Sequence, residues 1–323
     1  MKANVEDLRQ LCLDVLGRRE VSEDDAHVIA DILLEADLRG RHTHGLIRLP
    51  AIAERCELGA RRPMRLVKDG PSFGLIDGQE NLGYLVAHRC ARTAIGKADS
   101  TGVAVVGARN TGHCGMLGYY VGMIADAGMV GIMTCDTSPR VVPWGGTTPV
   151  LGTNPIAAAF PSRDGQVLAD LSTAAITSGQ ILMAIKDDGK IPDGCALGPD
   201  GKLTTDPVQA RLGGGLPSGG HKGYAMSIVI QLLSGVLMGA APVPEAGRDY
   251  GMFILAISPG IFGDREAFQE GVAQLVERIK AATPADGVAE ILLPGERASR
   301  QREAGLREGI ELDETLADEL RRL

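Results

Sequence analysis

The chain has 323 residues, 44% of them hydrophobic, enough for one large domain or two ordinary ones around a buried core. Its net charge of −8 and aromatic content of 3% exclude the basic field and stacking surfaces that nucleic-acid partners require. Six cysteines without a C-x-x-C pair or a disulfide framework fit reduced thiols, and the start of the chain lacks the features of a signal peptide, so a cytoplasmic location is expected.

Taken in order, Leu8, Leu11, Cys12, Val15 and Leu16 share one face of a first helix. Ser22 with Asp25 reads as the cap of a second, whose apolar face is Val28, Ile29, Ile32, Leu33 and Ala36 and which fades near Gly40. Further helical patterns are expected at 82–98, 116–127, 224–238, 268–281 and 312–323. Short apolar runs at 102–107, 129–135, 155–160, 167–171, 252–257 and 289–293 read as buried strands. The uncharged stretch from Tyr224 to Ala241 approaches the roughly 18 residues of a spanning helix. Ser227, Gln231, Ser234 and Gly235 interrupt it, so a buried core helix is expected and no membrane partner. The fold class is therefore mixed α+β. A mainly helical part would be built from both termini (1–100 and 260–323), around a central sheet-rich part (101–259).

The densest polar cluster is Arg39-Gly-Arg-His-Thr-His-Gly-Leu-Ile-Arg48, where the second helix passes into a loop. A histidine suits proton transfer to or from a carbonyl or alcohol oxygen. An arginine presents a planar fork that matches a carboxylate. His44 and Arg48 together are thus the minimum kit for a 2-oxo acid, with a solvated basic turn as the competing reading on spacing alone. A second cluster, Gly107 to Gly115, follows a strand and supplies Asn110 and His113 among glycines that let backbone approach a ligand. It is not G-x-G-x-x-G. A third, Gly213 to Gly223, leads into a helix and carries His221 and Lys222; glycine-rich backbone at a helix start can hold phosphate, and a flexible loop is the alternative. Asp170 ends an apolar run and is either a carboxylate that orients a histidine or a cap. Assembling His42, His44, His113, His221 and Asp170 as a metal site is a different-class reading, a hydrolase or lyase, but no pair has the spacing of a zinc motif.

These clusters together resemble the malate/L-lactate dehydrogenase family of the second type. That family includes sulfolactate and ureidoglycolate dehydrogenases, 2,3-diketogulonate reductase and reductases of piperideine- or pyrroline-2-carboxylate. The motifs run in the family's order: Thr43-His-Gly45, Asn110-Thr-Gly-His113, Ser138-Pro-Arg140 with Pro143-Trp-Gly-Gly146, Gly152-Thr-Asn-Pro155, Asp170-Leu-Ser-Thr173, Thr204-Thr-Asp-Pro207, Gly220-His-Lys-Gly223 and Leu292-Leu-Pro-Gly-Glu-Arg297. The resemblance implies a sulfolactate dehydrogenase-like fold that is not a Rossmann fold, with a largely antiparallel sheet part (101–259) that binds the cofactor, a helical part (1–100 and 260–323) on the substrate side and at dimer contacts, and a homodimer. It implies an NAD- or NADP-dependent oxidoreductase acting on a small 2-oxo or 2-hydroxy acid, or on a cyclic imine. In that scheme His44 exchanges the proton, Arg48 anchors the carboxylate, and His113 and Asp170 stand beside them in the catalytic site. Thr43 and Ser138 would meet substrate. Leu168, Asp170, Leu171, Ser172, Thr173, His221, Lys222, Pro294, Gly295 and Glu296 would contact the cofactor, and no metal is expected. Thr43 replaces a common Ser, Cys114 a common Phe, and Gly251-Met-Phe-Ile a common Gly-His-Phe-Phe, departures that bear on substrate identity.

Overall fold

The computed structural model describes residues 2–57, 62–245 and 247–323. Its strands are β1 (Lys2–Ala3), β2 (Arg65–Gly70), β3 (Phe73–Asp77), β4 (Val103–Thr111), β5 (Val130–Cys135), β6 (Pro155–Ser162), β7 (Gly165–Ser172), β8 (Ala196–Leu197), β9 (Gly214–Gly215), β10 (Tyr250–Ile257) and β11 (Ile310–Glu311). Its α-helices are α1 (Val5–Gly17), α2 (Glu23–Leu38), α3 (Leu49–Glu57), α4 (Gly83–Thr101), α5 (Leu117–Asp126), α6 (Ser178–Lys186), α7 (Pro207–Leu212), α8 (His221–Ile230), α9 (Arg265–Lys280), α10 (Glu296–Glu308) and α11 (Glu314–Arg322).

The centre is a seven-stranded sheet in the order β2-β3-β4-β10-β5-β6-β7. The β3–β4 pairing is parallel and the other described pairings are antiparallel. This is the mixed, largely antiparallel α+β architecture expected, without a dinucleotide-type parallel sheet. The late strand β10 sits between β4 and β5, so residues far apart in the chain meet at the centre of the sheet. Ala104, Val106, Ala108, Met133, Met252, Ile254 and Ala256 are fully buried there. Helix α4 packs on β3, β4 and β10, and α5 on β5, β6 and β7. The α4 residues Cys90, Ala91, Ala94 and Ala98 are small and fully buried, which suits a close helix–sheet approach. Helix α2 packs against both α1 and α4.

Local chemistry explains the helix starts. Asn4 accepts from the Glu6 N–H at 2.8 Å, and Ser22 from the Asp25 N–H at 3.3 Å, each satisfying an otherwise orphaned donor. Acidic residues fill both first turns and complement the helix dipole. Gly40, at φ +70°, ends α2 where the sequence placed its fade.

Three expectations change. Ala289–Leu293 forms no strand; the segment runs over the surface with no neighbouring strand to pair with. The helix expected over 224–238 is α8 up to Ile230 and then a π-helical stretch, Gln231–Val236. Two strands, β2 and β3, lie within the first hundred residues and form one edge of the sheet. A small satellite of Ile176, Ile181, Ile191, Ala196 and Ala210 gives α6 and α7 their own core. Among the described residues no helix is long and apolar enough to cross a membrane.

Candidate active site

The polar cluster after α2 folds into two successive 3-10 turns, His42–His44 and Leu46–Arg48, which lead into α3. Backbone bonds close them: His44 N–H to Arg41 O at 2.8 Å and Arg48 N–H to Gly45 O at 2.9 Å. Asp37, in the last turn of α2, accepts from the Leu46 N–H at 2.7 Å and meets His42 Nδ1 at 2.9 Å. The Arg48 Nε–H donates to the Thr43 carbonyl at 2.7 Å, which leaves both terminal nitrogens of the guanidinium for a ligand. Thr43 Oγ1 lies 3.0 Å from His44 Nδ1.

These turns form one side of a cleft of about 870 Å³, within the ordinary range for small-molecule sites. His113 enters from the loop between β4 and α5, its ring 5.5 Å from that of His44. The far side comes from the ends of β5 and β7, with Ser138, Thr153, Asp170, Leu171 and Ser172. Ser138 Oγ lies 2.9 Å from Tyr250 Oη and accepts from the Gly247 N–H at 2.9 Å, tying the loop before β10 to the cleft.

The electrostatics are one-sided. Burial, then the charges of Arg48 and Arg41, pull His44 down to about 4, so it is a neutral imidazole at physiological pH. Burial, then Arg48 and His44, holds His113 well below the ordinary histidine range. His113 Nε2 is buried and has no hydrogen-bond partner among the described residues, leaving an atom for a ligand to satisfy. Burial raises Asp170, opposed by the Gly118 N–H that its carboxylate accepts at 2.8 Å and by Arg41 and Arg39. Asp170 therefore meets the start of α5, and no histidine bonds to it among the described residues. Arg41, Arg48 and Arg140 line the cleft and form no ion pair with a described carboxylate.

The anticipated residues thus separate into groups. His44, Arg48, His113, Ser138, Asp170, Leu171 and Ser172 line one cleft, with Thr43 behind His44. Leu168 and Thr173 flank that lining on the same strand and its extension; Thr173 Oγ1–H donates to the Asn154 carbonyl at 3.0 Å. Pro294 and Gly295 form the turn before α10. A Cβ on Gly295 would fall 2.5 Å from the Leu168 carbonyl, so that turn presses on β7. Glu296 accepts from Lys280 at 2.6 Å and pairs with Arg300; bonding to Lys280 foremost takes it down to about 2. His221 and Lys222 stand exposed at the start of α8, outside the residues that line the cleft. Among the described residues no three His, Cys, Asp or Glu gather as metal ligands. Arg41, Arg140, Tyr250 and Glu245 line the cleft as well, beyond the residues the sequence points to. Arg41 and Arg140 stand inside the polar motifs, whereas Tyr250 and Glu245 lie far from the histidine clusters in sequence and carry no local signal.

The family profile of malate/L-lactate dehydrogenase matches residues 3–321. The chain belongs to this family. It is 38% identical to L-sulfolactate dehydrogenase of Methanocaldococcus jannaschii over 98% of this chain and 95% of that protein. The solved structure of that organism's sulfolactate dehydrogenase superposes with a TM-score of 0.91, covering 100% and 96% of the two chains. NAD(+)-dependent ureidoglycolate dehydrogenase of Escherichia coli is 35% identical over 97% of this chain and 93% of that protein. The Δ1-piperideine-2-carboxylate reductase structure from Pseudomonas syringae matches at 26% identity and a TM-score of 0.89, over 100% and 99% of the chains. As a member of this dehydrogenase family the protein is an oxidoreductase acting on CH–OH groups.

Proposed function

We propose that this dehydrogenase interconverts a small 2-hydroxy acid and its 2-oxo acid using NAD or NADP, with His44 moving the proton at the C2 oxygen and Arg48 holding the carboxylate. The observation that carries this reading is the convergence in one cleft of a neutral histidine and an arginine whose terminal nitrogens have no carboxylate partner. The residues fit a nicotinamide cofactor beside such an acid. The cleft is large enough for part of a dinucleotide, His113 Nε2 lacks a partner, and the guanidinium groups suit acids and phosphates. Leu168, Asp170, Leu171, Ser172 and Thr173 would hold the cofactor on the sheet side, with His221, Lys222, Pro294, Gly295 and Glu296 further out. When bound, the cofactor supplies or accepts the hydride.

The chain's own groups do the rest. Arg48 meets the substrate carboxylate with its terminal N–H groups and fixes C2 near His44. With His44 Nδ1–H donating to Thr43 Oγ1, Nε2 keeps a lone pair and takes the hydroxyl proton in the oxidative direction. In reduction the same nitrogen returns it, and a carboxylate bound to Arg48 would offset one of the charges that disfavour the protonated ring this direction needs. His113 stands 5.5 Å from the His44 ring and offers its unpartnered Nε2 to the polar end of a ligand.

The likeness to a piperideine-2-carboxylate reductase favours a second reading of the same site, in which the reacting atom is an imine nitrogen and His44 and Arg48 keep their parts. The apolar side chains Met226, Val229, Leu232, Val236 and Leu237 stand exposed along α8 and the π-helical stretch, and a second copy of this chain, in the cytoplasm, is the proposed cover. The test is loss of absorbance at the nicotinamide band with NADH and NADPH against pyruvate, oxaloacetate, sulfopyruvate, diketogulonate, the oxo acid of ureidoglycolate and the two cyclic imines. Turnover of an oxo acid supports the first reading and turnover of an imine alone the second. Silence throughout, with no cofactor binding by titration, overturns both.

A further inference from the structure

We propose that Asp37 is a positioning residue that holds His44 and Arg48 in register by pinning the two 3-10 turns that carry them. This rests on the reading in which those two side chains meet the substrate.

Asp37 is 6% exposed, yet no arginine or lysine pairs with it among the described residues. Its carboxylate is used on the two turns instead. Oδ2 accepts from the Leu46 N–H at 2.7 Å, at the start of the second turn, and Oδ1 meets His42 Nδ1 at 2.9 Å, at the start of the first. Gly45 joins the turns, and the carboxylate lies where a side chain there would go: a Cβ on Gly45 would fall 2.2 Å from both Asp37 Cγ and Oδ2. The joint therefore closes directly on the acid. Rotation at this joint would swing the His44 ring relative to the Arg48 guanidinium, which among the described residues is tied back through its Nε–H to Thr43 O.

A local structural reason for Asp37 is missing. It stands in the last turn of α2, where the helix dipole disfavours an acid. Burying a carboxylate without a strong cation is costly. The contacts that offset the cost all belong to the segment that carries the reacting groups. Catalytic geometry is sensitive to such support: a misplacement of about 1 Å can cost on the order of 100-fold in rate.

The test uses full-length wild type, Asp37→Asn, Asp37→Ala, Gly45→Ala and Asp37→Ala/Gly45→Ala. Two readouts separate positioning from mere stability: histidine ring titration followed by NMR on the protein without ligands, and kcat and KM for oxaloacetate and pyruvate with NADH and NADPH. In Asp37→Asn the His44 titration should move up from about 4 toward the ordinary histidine value as the turn loosens and admits water. KM and kcat should together worsen by on the order of 10–100-fold. Gly45→Ala should reproduce both effects by displacing the same carboxylate, and the double variant should lose less than the sum of its single changes. Should Asp37→Asn not fold, Gly45→Ala and His42→Gln, which removes only the exposed arm of the pin, take its place. A lowered Tm with wild-type His44 titration overturns the inference. Wild-type turnover in His44→Ala and Arg48→Ala overturns the underlying reading instead.

Discussion

The turn around Pro294–Arg300 and the turn around His42–Arg48 carry similar charged side chains and use them differently. In the first, Glu296 accepts from Lys280 and Arg300, and Arg300 also pairs with Glu290, so the charges answer one another at the surface. In the second, Arg48 spends, among the described residues, just its Nε–H on a backbone carbonyl, and the carboxylate of Asp37 is spent on Leu46 and His42. Self-neutralised charges stabilise a fold modestly and offer a ligand little uncompensated charge. Unanswered guanidinium groups beside a buried neutral histidine leave room for a ligand to complete them.

That contrast can be broken by experiment. The largest effect belongs to His44→Ala, expected to cost on the order of 10²–10⁴ in kcat with little change in Tm, measured by steady-state kinetics and calorimetry. Arg48→Ala comes next: removing the anchor should cost about 2–5 kcal/mol of transition-state binding, read from kcat/KM, with Arg48→Lys recovering only part because the two-pronged contact is gone.

The third concerns pH. Because His44 lies at about 4 in the folded protein, kcat/KM for hydroxy-acid oxidation should stay flat from pH 8 down to about pH 5 and fall below that; a midpoint near 6.5 would contradict the buried, arginine-flanked setting. The same depression contributes to stability: it is fully present above the ordinary histidine value and is lost as pH falls through about 4. The smallest effect is expected from the self-paired turn. Glu296→Gln should cost under about 1 kcal/mol in thermal unfolding, since the pairs are partly exposed and screened. The Glu296 contribution is present above the ordinary carboxylate range and is lost as pH falls through about 2.

Much of the fold was legible because its elements advertise themselves. The glycine-bounded run at 102–107 is β4, the capping serine at 22 opens α2, and β5, β6, β7 and β10 came from apolar runs, whereas β2 and β3 did not. The misses share a cause. Strand β2 is an exposed edge strand with no apolar alternation to see. Helix α10 has no buried residue and so no apolar stripe. The run 289–293 is apolar enough for a strand but meets no partner, and a strand exists only by pairing. The π-helical stretch at 231–236 changes the helix where Gln231 and Ser234 make buried bonds, to Asp136 at 3.1 Å and to Thr134 at 2.7 Å, which no spacing pattern foretells.

By itself the sequence determined the class of chemistry, since a histidine and an arginine four residues apart in an ordered set of family motifs are local facts. That the sheet would not be of the dinucleotide type came from the resemblance those motifs carry, with which the absent glycine fingerprint agrees. Which arginines remain without a carboxylate, whether Asp170 meets a histidine or a helix start, and that Tyr250 and Glu245 close a cleft with His44 were decided by the tertiary structure. The physical reason is distance along the chain: pairing and burial depend on what long-range strand order brings together, and β10, placed between β4 and β5, carries the end of the chain's central loop to residues more than a hundred positions away.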